Sequence, residues 1–347
     1  MQPFTQYESM KAIGLTKYLP INNPESLVDL QVATPEPSDR DLLVRVEAIS
    51  VNPVDTKIRA PKSDVEREPR ILGWDAAGTV EATGPAAKLF RLGDAVYYAG
   101  SISRPGTNSE FHLVDERIAG RKPANLSFAE AAGLPLTSIT AWEAIFDRLG
   151  VDQFGSDGGK SILIIGGAGG VGSIGIQLAK LAGLRVFATA SRPETRDWCE
   201  KMGADYVLDH REPLKPKMEH LGNAEVDFIA NFVNTDAYWQ AMADLVRPQG
   251  RICCINETSQ PLDLNLLQDK SAHFAWEFMF TRSLFQTPDM QRQHELLNEV
   301  ASLIETGILK STVTEVMTPI NAANLRAAHA KIETGRTIGK IVLAGWN

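Results

Sequence analysis

Cysteine is scarce: Cys199, Cys253 and Cys254 are the only three in 347 residues, and none has C-x-x-C spacing. An odd number, two of them adjacent inside an apolar run, excludes a disulfide framework, and three thiols cannot build a four-thiolate zinc lobe. They read as small buried apolar groups in a reducing compartment. No apolar run approaches the roughly 20 residues that cross a bilayer, and the first twenty residues lack the basic start and apolar stretch of a secretory signal. The cytoplasm is the expected location. No block of Lys and Arg exists, and a net charge of −8 leaves no electrostatic footprint for nucleic acid or an anionic membrane. The six histidines, at 112, 210, 220, 273, 294 and 329, are scattered without ligand spacing. No metal site is read from them; His112, in a strand after Phe111, reads as a structural or cleft-wall histidine.

What is present is a soluble globular composition, 44% hydrophobic and 22% charged. The length suits two domains. Before residue 120 short strands alternate with turns: Leu27 to Val32, Leu42 to Val51, Ala76 to Thr83, Ala95 to Ala99 and Ser109 to Val114. Between them, 62–68 reads as a solvated, mixed-charge loop. Ser127-Phe-Ala-Glu130 has capping-box spacing and opens a helical segment. From Ser161 strands and helices alternate, the pattern of a doubly wound parallel sheet. Its strands are read at Ser161 to Ile165, Val186 to Ala190, Tyr206 to Leu208, Val226 to Phe232 and Arg251 to Ile255, with helices Val171 to Ala182, Pro193 to Met202 and Ala237 to Val246. Ala272 to Phe280 looks like a further edge strand, and such edges pair between subunits, so a homodimer is expected. After Pro288 a helix to Ile304, a strand Val313 to Met317, a helix Asn321 to Glu333 and a strand Gly339 to Leu343 break the rhythm and return to the first domain.

The most specific signal is Gly167-Ala-Gly169-Gly170-Val171-Gly172, a GxGxxG loop between the apolar strand ending at Ile165 and an amphipathic helix. In that setting each glycine has a mechanical task. Gly167 is assigned the tight turn, Gly169 the close approach of a pyrophosphate and Gly172 the packing of helix on strand. The phosphates sit at the helix N-terminus, near Gly170 and Val171. A site for the unphosphorylated coenzyme expects an acid about 20 residues on, for the ribose 2′-hydroxyl. The next strand ends instead in Ser191-Arg192. A hydroxyl and a guanidinium can bind a 2′-phosphate that a carboxylate would repel. NADPH is therefore the expected cofactor. Arg196 reads as a solvated helix charge.

Ser50-Val-Asn52-Pro-Val-Asp55, Ile71-Leu-Gly-Trp-Asp75-Ala-Ala-Gly78, Gly93-Asp-Ala-Val96, Gly133-Leu-Pro-Leu-Thr137-Ser-Ile-Thr140-Ala-Trp, the glycine loop, Gly203-Ala-Asp and Gly339-Lys340-Ile-Val follow one another along nearly the whole chain. In that order the chain resembles the medium-chain dehydrogenase/reductase superfamily, and within it the zinc-independent quinone oxidoreductases and the branch labelled zinc-type alcohol dehydrogenase-like. The resemblance implies an α/β fold: a doubly wound Rossmann sheet plus a β-rich GroES-like catalytic domain. The catalytic domain covers 1–135, the dinucleotide domain 136–286, and 287–347 returns to complete the first. Zinc-dependent members hold their metal at the positions matched here by Asn52, Trp74 and Leu136. None is a usual zinc ligand, since zinc takes thiolate, imidazole or carboxylate at about 2.0–2.3 Å.

A nicotinamide site without a Lewis acid can deliver hydride to an acceptor that is already electrophilic, a quinone or an α,β-unsaturated carbonyl. Simple ketones and alcohols need a metal or an acid/base relay, and no Ser, Tyr and Lys relay is legible. NADPH-dependent quinone or enone reduction is thus the expected activity. The alternatives are an alcohol dehydrogenase-like carbonyl reductase and a catalytically silent NADPH-binding sensor. Asn52 is the first candidate to hydrogen-bond the acceptor oxygen. Asp55 is the second, with helix capping as its competing role. Lys57 stands where quinone oxidoreductases commonly have tyrosine. On the cofactor side the resemblance implies Thr137 and Thr140 near the phosphates and nicotinamide, His210 over the 2′-phosphate or at the surface, and Lys340 in the tail that closes on the cofactor. Asn256 follows a core strand at the carboxyl edge of the sheet, where ligands sit.

Overall fold

The structure, a computed structural model, describes residues 8–346. The chain divides into two compact units, one running through Leu136 and resuming at Phe280, the other spanning Thr137–Met279.

The first unit begins with β1 (Ser9–Lys17), β2 (Val28–Ala33), β3 (Asp41–Val51), helix α1 (Pro53–Arg59), β4 (Val65–Ile71), β5 (Ala76–Thr83), β6 (Ala95–Tyr98), β7 (Phe111–Asp115) and β8 (Ala119–Arg121). Leu42, Leu43, Val44, Val46, Ala48 and Ile49 make β3 buried along nearly its whole length, which is why it lies inside its sheet. It pairs antiparallel with β5 and β7. Gly78 allows the β5 pairing, because a Cβ there would lie 2.1 Å from the Arg45 carbonyl oxygen.

The mixed-charge stretch 62–68, expected to be a loop, is in part strand. Val65–Ile71 pairs antiparallel with β1, Gly14 facing Ile71 and Lys17 facing Val65. An edge strand keeps one face in water, so its charges need not be excluded. Tyr18 anchors it, its hydroxyl bonded to Glu66 and accepting from Arg70 Nη1 at 2.9 Å, with the Lys62 ammonium 4.0 Å above the ring.

Two helices follow, α2 (Phe128–Ala132), capped by Ser127 and Glu130, and α3 (Pro135–Trp142), continued by a π-helical turn over Glu143–Arg148. The second unit then builds β9 (Ser161–Ile165), α4 (Gly170–Leu181), β10 (Arg185–Thr189), α5 (Pro193–Met202), β11 (Tyr206–Leu208), α6 (Leu214–His220), β12 (Val226–Asn231), α7 (Thr235–Leu245), β13 (Val246–Cys254) and β14 (His273–Trp276). The strands form one parallel sheet in the order β11-β10-β9-β12-β13-β14. This is the doubly wound arrangement expected, with β9 central and wholly buried. The edge strand is shorter than the stretch Ala272 to Phe280 read for it, ending at Trp276. All three cysteines are buried and free.

The chain re-enters the first unit with α8 (Thr281–Phe285), α9 (Arg292–Glu305), β15 (Val313–Met317), α10 (Ala322–Glu333) and β16 (Lys340–Ala344). β16 lies antiparallel on β3, Ile341 opposite Val51, and parallel to β15. The buried Tyr97 hydroxyl fastens α9 by donating to Leu297 O at 2.6 Å. No helix among the described residues is long and apolar enough to cross a membrane.

Candidate functional site

In the second unit β9 ends at Ile165 and the chain turns at Gly166, whose φ of +89° suits glycine. The turn assigned to Gly167 is therefore made one residue earlier. Gly167 is instead required by packing: a Cβ there would lie 2.9 Å from both Ala188 Cβ and Cys199 Sγ. At Gly172 a Cβ would lie 2.2 Å from Gly166 O, so that residue seals helix against loop. At Gly169 the nearest atom would be Gly166 O at 3.6 Å, ordinary contact distance. The loop is pinned by Thr189, whose Oγ1 and carbonyl accept from Gly166 N at 2.9 Å and Gly167 N at 3.2 Å. The amides of Gly170, Val171 and Gly172 form the first turn of α4, ahead of the Ser173 N to Gly169 O bond at 2.9 Å. Rigid loop, open approach at Gly169 and helix N-terminus fit a dinucleotide pyrophosphate.

Ser191 and Arg192 follow β10. Arg192 occupies the N-cap of α5, its Nε 2.8 Å from Glu194 Oε1. Parallel pairing of Thr189 with Leu208 brings the end of β11 alongside. There Arg211, which sequence reasoning missed, donates from Nη2 to Ser191 O at 3.2 Å and grips Asp209 through Nε at 3.0 Å and Nη2 at 2.5 Å. Those bonds hold the Asp209 carboxyl well below the usual carboxylate range. His210 is exposed beside it. Asn256 braces the loop after β12, donating to Val233 O at 2.9 Å and accepting from Thr235 Oγ1 at 2.7 Å. Thr137 and Thr140 are buried on α3.

In the first unit a second constellation forms where β3 ends. Asn52 has extended backbone at the N-cap of α1, and Pro53 starts the helix. Asp55 Oδ2 accepts from Asn52 N at 2.6 Å, so Asp55 does cap the helix. The Asn52 Nδ2 donates to Asp75 Oδ2 at 2.9 Å, while Asp75 Oδ1 accepts from Leu136 N at 2.9 Å. Lys340, opening β16, sends its ammonium into the same place: to Val51 O at 3.0 Å, to Asp75 Oδ2 at 3.2 Å and to Asn52 Oδ1. All four residues are at most 3% exposed. Lys340, which the resemblance placed toward the cofactor, is thus the partner of a buried carboxylate, since a buried charge must be paired. The Asn52 amide is likewise turned inward, with its oxygen and one hydrogen committed to Lys340 and Asp75.

Burial pushes the Asp55 carboxyl up to about 7, with Asp75 adding to the rise and the Asn52 N–H and Lys340 opposing it. Burial also raises Asp75, against Lys340 and its hydrogen bonds. Nearby, Trp74 donates from Nε1 to Ser101 O at 3.2 Å and meets Phe280 edge-on at 6.1 Å. His112 stacks on Tyr98 at 5.4 Å, with Nδ1 3.2 Å from the Tyr98 hydroxyl and Nε2 3.0 Å from Pro105 O. Burial lowers its pKa to about 4, so it is a neutral brace for the loop before β7. Lys57 lines a separate shallow cavity of about 450 Å³ with Pro20, Thr56 and Glu333.

These residues do not fit zinc. Asn52, Trp74 and Leu136 offer an amide, an indole that is already donating and an alkyl group, and the Asn52 and Asp75 oxygens face an ammonium that would repel a second cation. Among the described residues no group of three or more His, Cys, Asp or Glu is placed to hold a metal ion.

Known proteins agree with this architecture. Residues 38–137 match the family model for the alcohol dehydrogenase GroES-like domain, and residues 202–343 that for zinc-binding dehydrogenases. A zinc-type alcohol dehydrogenase-like protein of Staphylococcus aureus is 46% identical over 335 residues, 96% of this chain and 99% of its own length. A crystal structure from Rhizobium etli CFN 42, of a protein assigned as a zinc-dependent alcohol dehydrogenase, is 50% identical with a TM-score of 0.94, covering 99% of this chain and 100% of that one. The 2-methylene-furan-3-one reductase of Solanum lycopersicum is 29% identical over 343 residues, 96% of this chain and 79% of its own. With its GroES-like sheet, its parallel nucleotide-binding sheet and these relatives, the chain is an oxidoreductase of the medium-chain dehydrogenase/reductase superfamily and belongs to its zinc-type alcohol dehydrogenase-like branch.

Proposed function

We propose that this chain is an NADPH-dependent reductase of quinones and α,β-unsaturated carbonyl compounds that works without a metal ion. The observation that carries the reading is the Lys340 ammonium lodged on Asn52, a position where a metal-dependent relative would place a ligand, and on the neighbouring Asp75. A donor set committed to an internal cation leaves no Lewis acid for an alkoxide, so the acceptor must bring its own electrophilicity. When bound, NADPH supplies the hydride, which an enone takes at the carbon β to its carbonyl; a proton then completes the α-carbon. A 2-methylene-furan-3-one is such an enone, and the tomato relative named for reducing it supports this class. Asn52 and Asp55 are the residues proposed for the acceptor oxygen and the proton.

On the cofactor side the proposed site comprises the loop Gly167 to Gly172, with Thr137, Thr140 and Asn256 near the nicotinamide half. Ser191, Arg192, His210 and Arg211 would take the 2′-phosphate. Charge-assisted hydrogen bonds predict that Arg192→Ala combined with Arg211→Ala weakens NADPH binding about 10–100-fold while NADH affinity stays within about twofold. Isothermal titration with each coenzyme measures this; equal losses for both would place the arginines outside the phosphate site. The exposed edge strand β14, with its last residue Trp276 45% exposed and Phe278 43% exposed just beyond it, supports a homodimer formed by strand pairing, which sedimentation measures.

The function itself is tested by following NADPH absorbance with a panel of quinones and enones, and NADP⁺ reduction with simple alcohols. Turnover of the former alone supports the reading. Alcohol oxidation would favour a carbonyl reductase of the alcohol dehydrogenase type, and tight binding without turnover a sensor.

A further inference from the structure

Lys340 is 3% exposed and reaches its partners because β16 lies against the end of β3, Ile341 opposite Val51. Its ammonium lies on one side of the Asn52 amide, bonded to Oδ1, while the Asp75 carboxylate lies on the other, accepting from Nδ2 at 2.9 Å. Turning the amide over would set Nδ2 against the cation and Oδ1 against the anion, two repulsions in place of two charge-assisted bonds. The orientation is therefore locked electrostatically. The second hydrogen on Nδ2 has only the carbonyl oxygens of Ser50 and Trp74, each 3.5 Å away and at the limit of hydrogen bonding. A metal ion in such a place would neutralise the carboxylate and orient its ligands; here directed N–H bonds from a side chain do both.

We propose that Lys340 is a positioning residue for the reduction: its ammonium takes over the orienting work of a metal ion and holds the Asn52 amide in a single orientation against Asp75. This rests on the reading of the chain as a metal-free reductase. Lys340 acts through Asn52 and touches neither reactant. It also explains why a tail strand, remote in sequence, carries a lysine that faces inward among charged groups.

The test compares full-length wild type, Lys340→Met and Lys340→Ala. Misorientation of a group in the reaction costs about 100-fold, so kcat for an enone should fall by about that factor in both variants. KM for the enone and the NADPH dissociation constant should stay within about threefold, since uniform binding is untouched. The Asn52 side-chain amide resonances should move in both variants. Methylammonium should restore at least about tenfold of kcat to Lys340→Ala, where it can fill the vacated space, and none to Lys340→Met. Unchanged kcat with unchanged Asn52 resonances would overturn the proposal, as would loss of NADPH affinity alone, which would place the lysine on the cofactor. If Lys340→Met fails to fold, Lys340→Ala purified in methylammonium and then exchanged out of it gives the same comparison. Wild-type protein inactive on every acceptor, with Asn52 resonances that still depend on Lys340, would sink the reductase reading and leave the orienting role standing.

Discussion

Replacing Asp55 by asparagine should stabilise the protein at pH 8 by on the order of 4 kcal/mol and leave it nearly unchanged at pH 3.5. The parent carboxyl is raised from 3.8 to about 7, chiefly by burial, so the folded chain holds that proton more tightly than the unfolded one. A group shifted in this direction contributes stability that is complete below the unfolded value and disappears as pH rises through the folded one. The window therefore runs from about pH 4 to about pH 7, with stability falling upward. Asparagine mimics the protonated form and keeps an oxygen for the Asn52 N–H, so the cap survives while the ionisation cost does not. Urea titrations of parent and variant at several pH values measure the difference; parallel curves would mean that Asp55 is not buried as described.

His329 should act with the opposite sign. Its ring lies fully buried in α10, and neither ring nitrogen has a hydrogen-bond partner among the described residues. Burial, with the Arg59 charge adding to it, lowers its pKa from 6.5 to about 3. The neutral ring is at home in the core, so its contribution is complete above about pH 6.5 and is lost as pH falls toward 3. By the same linkage His329→Phe should remove on the order of 5 kcal/mol of acid sensitivity across that window. Its stability at pH 7 will also register the fit of the larger ring, so the informative quantity is the slope with pH. A variant as acid-sensitive as the parent would contradict the burial of an unpaired imidazole.

The nucleotide-binding unit was the more legible of the two in sequence, because each of its features is local. The apolar run Ser161–Ile165, the glycines and the amphipathic α4 are contiguous, and the missing acid after β10 is read from two neighbouring residues. Which of two adjacent glycines turns the chain is a matter of φ alone, so the turn at Gly166 was assigned to Gly167. Strand β4 was missed because an edge strand carries charges on its wet face. Helix α6 was missed because Leu214 and Met218 alone bury a face, in a segment rich in lysine and interrupted by proline.

Site residues were legible one at a time, their grouping less so. Asn52, Asp55 and Lys340 were each named, yet the bond between Asn52 and Lys340 spans 288 positions and exists only because β16 pairs with β3. Arg211 escaped for the same reason: it meets Ser191 through the pairing of β10 with β11, and its signal was an Asp209–Arg211 pair at a strand end.

Metal-free hydride transfer from the phosphorylated coenzyme is measured most directly by steady-state reduction of an enone with NADPH and with NADH, before and after exhaustive chelation, on protein whose metal content is determined in parallel. Turnover that survives chelation unchanged, on metal-free protein and with NADPH strongly preferred, is the expected result. Activity lost with the chelator and restored by zinc, or a preference for NADH, would contradict it.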